Sequence, residues 1–99
     1  MEKLNYEFKA TKPVTKAVHI GVVASGDLEV LVYPTKKDNA TVEIVTGSDG
    51  FGNVWKNVLT RFFNRYPLKA DFKIHDFGAT PGVVNLRLAQ AMEEIKNAK

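Results

Sequence analysis

Residues 17–33 read AVHIGVVASGDLEVLVY, and this stretch decides the fold. From Asp27 to Tyr33, Leu28, Val30 and Val32 alternate with Glu29, Leu31 and Tyr33, the period of two that puts one apolar set on one face of a strand. Ala17–Ala24 is rich in β-branched residues, which favour extended backbone. Ser25-Gly26 between the two runs reads as a two-residue hairpin connection. Working toward the N-terminus, Lys12-Pro13 marks a turn, and Leu4, Tyr6 and Phe8 alternate with polar residues in a first half-buried strand. Toward the C-terminus, Pro34 closes the strand, KKDN forms a turn, and Thr41–Thr46 (TVEIVT) makes a fourth strand. The expectation for this half is an antiparallel meander.

The period then changes. Phe51, Val54, Trp55, Val58, Leu59, Phe62, Phe63 and Tyr66 follow the i, i+3, i+4, i+7 rule of a one-faced helix. Ser48 or Asp49 is the expected cap at its start, and Pro67 stops it by restricting Tyr66. Asp71–His75 is a short strand. Thr80-Pro81 supplies a cap residue followed by proline at the first helical position, and Val84, Leu88, Ala91 and Ile95 form the stripe of a last helix. Strands followed by one-faced helices predict an α+β fold: an antiparallel sheet of about four to five strands with two helices packed on one face. Repeats and linkers are missing, so residues 1–99 are expected to form a single domain.

Composition narrows the chemistry. The chain has 99 residues, a formal charge of +3 and no cysteine. Disulfides, thiolate metal sites and cysteine nucleophiles are therefore excluded, and any thiol chemistry must come from an attached group. The positive charge is spread out, its longest cluster being Lys36-Lys37, and RNA-binding signatures are missing, so nucleic acid is not an expected partner. The opening MEKLNYEFKATK does not read as a secretory signal, and no apolar run approaches the ~18 residues of a membrane span, so a cytoplasmic location is expected.

Ser25 is the residue to watch. A serine at a hairpin tip is reachable by another protein's active site, Gly26 leaves room for a bulky group, and Asp27 is placed to orient the hydroxyl. By spacing alone Ser-Gly-Asp is an ordinary turn. His19 lies in an apolar strand and reads as a buried or edge histidine with one hydrogen-bond partner. A hydrolase triad of Ser25, His75 and Asp76 is opposed by geometry, because adjacent residues of a strand point to opposite faces. The Gly-x-Ser-x-Gly elbow is missing as well, with Val23 and Asp27 at its glycine positions. Gly47, Gly50 and Gly52 match neither the dinucleotide fingerprint nor the P-loop and read as a capping loop. No His and carboxylate set has metal-ligand spacing, so no metal site or catalytic group is expected.

Val23–Leu31 (VASGDLEVL) resembles the prosthetic-group attachment segment of the malonate decarboxylase acyl carrier (delta subunit) family. His75–Val84 (HDFGATPGVV), continuing through Leu86-Arg87-Leu88, looks like the C-terminal segment of that family. The alternating aromatics of the first strand, the length and the Trp55 helix fit too. The resemblance implies a non-catalytic carrier subunit that shuttles acetyl and malonyl thioesters while malonate is converted to acetate and carbon dioxide. It implies that Ser25 holds phosphoribosyl-dephospho-coenzyme A through a phosphodiester. The implied partners are the acyl-carrier transferase (alpha) subunit, the decarboxylase (beta and gamma) subunits, a prosthetic-group transferase, and a malonyl transferase that primes or loads the carrier. Ala24, where the family pattern has glycine, and Gly47–Gly50 depart from it without touching Ser25. The acyl carrier subunit of citrate lyase is the nearest other resemblance, but that family has Ser-Ser-Asp at the hairpin and lacks the Thr-Pro-Gly-Val-Val continuation. A cofactor-free interaction module and a small hydrolase built on Ser25 and His75 are the rival classes. Partner contact is expected at the rim around Ser25, with Asp27 and residues 75–82.

Overall fold

The computed structural model describes residues 2–97. Along the chain lie β1 (Glu2–Lys9), β2 (Lys12–Pro13), β3 (Val18–Gly21), β4 (Leu28–Pro34), β5 (Asn39–Thr46), α1 (Gly52–Arg65), β6 (Leu68–Asp76) and α2 (Pro81–Asn97). The main sheet runs in the order β1-β5-β6-β4-β3, with β2 pairing separately along the start of β6. The α+β class with two helices on one face of one sheet is as the sequence predicts.

The strand order is not the expected meander. β6 lies between β4 and β5, antiparallel to the first and parallel to the second, so the sheet is mixed. The physical reason is the connection between β5 and β6. Parallel neighbours need a crossover of a dozen or more residues, and α1 supplies it. Once β6 takes the central place, β4 and β5 are separated although the turn between them is short.

Every second residue of the strands faces the helices. Leu28, Val30 and Val32 of β4 meet Phe72 and Ile74 of β6, which meet Val42 and Ile44 of β5, and all seven are at most 1 % exposed. Leu4, Tyr6 and Phe8 carry this face onto β1. From above, Trp55, Val58, Leu59 and Phe63 of α1 and Val84, Leu88 and Ala91 of α2 close the core. Phe63 stacks on Phe8 at 4.7 Å and meets Phe72 edge-on at 5.2 Å, geometries that add to the area buried. Among the described residues no helix covers the opposite face of the sheet.

The helix starts differ from each other. At α2 the reading of Thr80-Pro81 holds: Thr80 Oγ1 accepts from Val83 N–H at 3.3 Å. At α1 neither Ser48 nor Asp49 caps; Phe51 occupies that place without a side-chain hydrogen bond. Ser48 instead donates its N–H to Thr46 Oγ1 at 3.1 Å, which holds it beside the end of β5. No helix among the described residues is long and apolar enough to cross a membrane.

Candidate functional site

Ser25 stands on the loop between β3 and β4, and that loop is longer than the predicted two residues. The last β3–β4 pair is Gly21↔Glu29, and Val22–Asp27 forms the connection. Asp27 N–H closes a turn onto the Ala24 carbonyl at 3.1 Å, with Ser25 and Gly26 in the middle. Gly26 has φ +78° and Ser25 has a negative φ, the pattern of a type II turn. Two-residue hairpins demand a positive φ at the first central residue, which serine resists. The chain therefore leaves the ladder early, and Val22 and Val23, expected inside a strand, are 53 % and 62 % exposed.

Gly21 makes this departure possible. Its φ is +82°, and a Cβ there would lie 2.1 Å from the Leu28 carbonyl oxygen. Only a residue without a side chain lets the two strands part at that point.

The far side of the loop is tethered. Gly26 N–H donates to the Phe77 carbonyl at 2.7 Å, and Phe77 N–H donates to the Asp27 carbonyl at 2.9 Å, extending the β4–β6 ladder to the turn. The Asp27 carboxylate does not orient the serine. It accepts from Arg87 Nε at 3.0 Å and Nη2 at 2.6 Å, and from its own neighbour Leu28 N–H at 2.7 Å. Arg87 Nη1 donates to Gln90 Oε1 at 2.9 Å, so the guanidinium is held from both sides. The Arg87 hydrogen bonds, helped by Leu28 N–H, hold the Asp27 carboxyl below the usual carboxylate range, and Asp27 raises Arg87 in return. This forked pair fastens the base of the turn to α2. The Ser25 side chain is exposed and has no hydrogen bond among the described residues.

The histidines and Asp76 belong elsewhere. His75 donates through Nδ1 to Glu29 Oε1 at 2.9 Å, and His19 through Nε2 to Glu29 Oε2 at 2.8 Å, on the uncovered face of the sheet. His19 is thus an edge residue with one partner. The His75 hydrogen bond, partly opposed by desolvation and aided by His19, keeps Glu29 below its ordinary range. Asp76 points to the helix face, where it accepts from Thr46 Oγ1 at 2.8 Å and from the N–H groups of Gly78 and Ala79 at 3.2 and 2.9 Å. It shapes the turn from β6 into α2. Ser25, His75 and Asp76 therefore form no triad, and the reason is the strand alternation already visible in the sequence. The sequence reading missed Arg87 as a partner of Asp27; its position on the β4 side of the last helix was the only signal, and it carried no spacing rule.

A tethered turn thus presents an exposed serine hydroxyl that makes no hydrogen bond among the described residues. A family profile described as "Malonate decarboxylase delta subunit (MdcD)" matches residues 15–95. The chain is 44 % identical over 98 residues to the malonate decarboxylase acyl carrier protein of Azotobacter vinelandii, covering 98 % of this chain and 99 % of the relative. It is 49 % identical over 100 residues to the protein of the same name from Stenotrophomonas maltophilia, covering 96 % and 94 %. A crystal structure of a Pseudomonas malonate decarboxylase hetero-tetramer in complex with malonate contains a chain with the same fold. Its TM-score is 0.91 at 43 % identity, covering 96 % of this chain and 99 % of that one. The chain belongs to the malonate decarboxylase delta subunit family.

Proposed function

We infer that this chain is the acyl carrier subunit of a malonate decarboxylase and that Ser25 is the point at which its prosthetic group is joined. The observation that carries the reading is the exposed, unengaged hydroxyl of Ser25 on a turn whose base is fastened at Asp27. A Cβ placed on Gly26 would meet nothing within 4 Å, so there is open space beside the hydroxyl for a bulky substituent. The residues present fit a phosphodiester-linked phosphoribosyl-dephospho-coenzyme A. When bound, that group supplies the thiol that a cysteine-free chain lacks, and the thioester chemistry that lets carbon dioxide leave a malonyl group.

The chain's own contribution is presentation. Residues 1–99 act as one domain that contributes no catalytic side chain. Val22 and Val23 beside Ser25, with Phe77 across the tether at 38 % exposure, give the turn an apolar rim that a partner enzyme can cover. Docking at this rim brings the carried group to the transferase (alpha) subunit and then to the decarboxylase (beta and gamma) subunits in the cytoplasm. A flexible arm keeps the acyl group at high effective concentration at each. The prosthetic-group transferase and the malonyl transferase that loads the carrier meet the same turn.

Reconstitution tests this. The loaded chain mixed with the alpha, beta and gamma subunits should support malonate-dependent release of carbon dioxide, and the chain alone should release none. Ser25→Ala should abolish activity of the mixture. Activity retained by Ser25→Ala would reject Ser25 as the carrier residue.

A further inference from the structure

A cleft of about 240 Å³ opens between the first turns of α1 and α2, at the end of the sheet where β5 and β6 finish. Its walls are mainly apolar and include Phe51, Val54, Trp55 and Val84, while Thr46 and Asp76 face it from the strand ends. Phe51 and Val54 continue the apolar stripe of α1, yet they remain 50 % and 46 % exposed. The stripe thus extends beyond the core into the cleft. Gly78 also lines it, and a Cβ at Gly78 would lie 3.9 Å from Gly26 N. Gly26 N–H also bonds the Phe77 carbonyl, next in sequence to Gly78, so the wall of the cleft adjoins the turn that carries Ser25.

We propose that this cleft receives the acyl end of the arm on Ser25 when that end is short and neutral, as acetyl is, and refuses it when it ends in a carboxylate, as malonyl does. The proposal rests on the carrier reading above. Size favours it: sites that enclose a whole drug-sized ligand span roughly 300–1,000 Å³, so this cleft is scaled to the tip of an arm. Burying a methyl group and a thioester against apolar walls is favourable. A terminal carboxylate meets the opposite conditions. Among the described residues no Lys, Arg or His lines the cleft, and the carboxylate already present, Asp76, takes the hydroxyl of Thr46 and the N–H groups of Gly78 and Ala79. A second negative group would lose its hydration without a counter-charge and face a like charge. The consequence is an acyl-state sensor: the acetyl form is sheltered and the malonyl form extended toward partners.

The lone tryptophan of the chain, Trp55, sits in this wall and reports on it. The test is a set of ¹H–¹⁵N spectra of the full chain without the arm and with the arm in its acetyl and malonyl forms, the intact mass being checked before each spectrum. The expected result is that acetylation shifts the Trp55 indole N–H and the Ala79 and Val84 amides, while malonyl shifts stay within residues 22–28 and 77–78. Val54→Glu, on the exposed rim, should take up the arm with the same mass gain and lose the acetyl-dependent shift at Trp55. Acetyl shifts confined to the Ser25 turn on a correctly loaded protein would overturn the cleft assignment alone. Equal acetyl and malonyl shifts at Trp55 would overturn the discrimination. A chain that gains no mass from active loading enzymes would overturn the carrier reading and this proposal together.

Discussion

Three glycine-to-alanine substitutions separate the two forces that shape the Ser25 loop. Gly47 has neither a positive φ nor any atom within 4 Å of a built Cβ, Gly26 has the positive φ alone, and Gly21 has both. For Gly26→Ala the penalty is that of a left-handed backbone, about 1–2 kcal/mol. Gly21→Ala adds a Cβ at 2.1 Å from the Leu28 carbonyl oxygen and 3.2 Å from its carbon. Backbone atoms must move to admit it, a strain of about 1–3 kcal/mol by analogy with overpacked cores, which brings the total to about 2–5 kcal/mol. With a urea slope of about 2 kcal/mol/M, the midpoint should fall by about 1–2.5 M for Gly21→Ala and about 0.5–1 M for Gly26→Ala. Gly47→Ala should leave it unchanged or slightly raised. Equilibrium urea unfolding followed by Trp55 fluorescence reads all three. A Gly21→Ala midpoint within about 0.25 M of the parent, or below-parent shifts larger for Gly26 than for Gly21, would refute the claim that close approach at Gly21 sets the loop.

The remaining expectations concern the fastenings around the turn. Asp27 is held below its ordinary value, so the stability it contributes is complete above its unfolded value, near pH ~4, and is lost as the pH falls through the lower folded value. Arg87→Ala should therefore lower the urea midpoint at about pH 7, and its deficit against the parent should shrink as the pH is taken toward about 2; a deficit that does not change with pH would rule out the ion pair as its source. Thr46→Val keeps the volume but removes a hydrogen-bond donor from the buried Asp76 carboxylate, and should cost about 1–3 kcal/mol in thermal or urea unfolding. Tyr6→Phe loses the hydroxyl that donates to the Gly52 carbonyl at 2.7 Å and ties β1 to the start of α1, a loss of about 0.5–1.5 kcal/mol. Ser25→Ala, which removes no bond, should leave the urea midpoint unchanged within about 0.25 M.

Local pattern carried much of this structure. The alternation in Leu28–Val32, the helical stripe from Trp55 to Phe63 and the Thr80-Pro81 cap all follow from rules that act within a few residues, and all three are present. The opposite facing of His75 and Asp76 likewise follows from adjacency in a strand. What escaped the sequence reading depends on distant partners. Nothing in β4 or β5 alone says that β6 will come between them; that outcome is set by the α1 crossover and by competition for the central, most buried place. The Arg87–Asp27 pair joins residues 60 positions apart, and no periodicity encodes it. Val22 and Val23 looked like strand residues because β-branched side chains favour extended backbone, but the close approach at Gly21 and the turn at Gly26 override that preference. Phe51 and Val54 obey the helical period, and only the packed structure shows that they face a cleft instead of the core.

Intact mass spectrometry tests most directly whether Ser25 carries a covalently joined prosthetic group. The chain should be produced together with the enzymes that make and transfer phosphoribosyl-dephospho-coenzyme A, beside a Ser25→Ala variant. A mass gain equal to that group on the parent, with none on the variant, is the expected result. A parent that stays unmodified while the same enzymes load a known carrier, or a variant that gains the same mass, would contradict it.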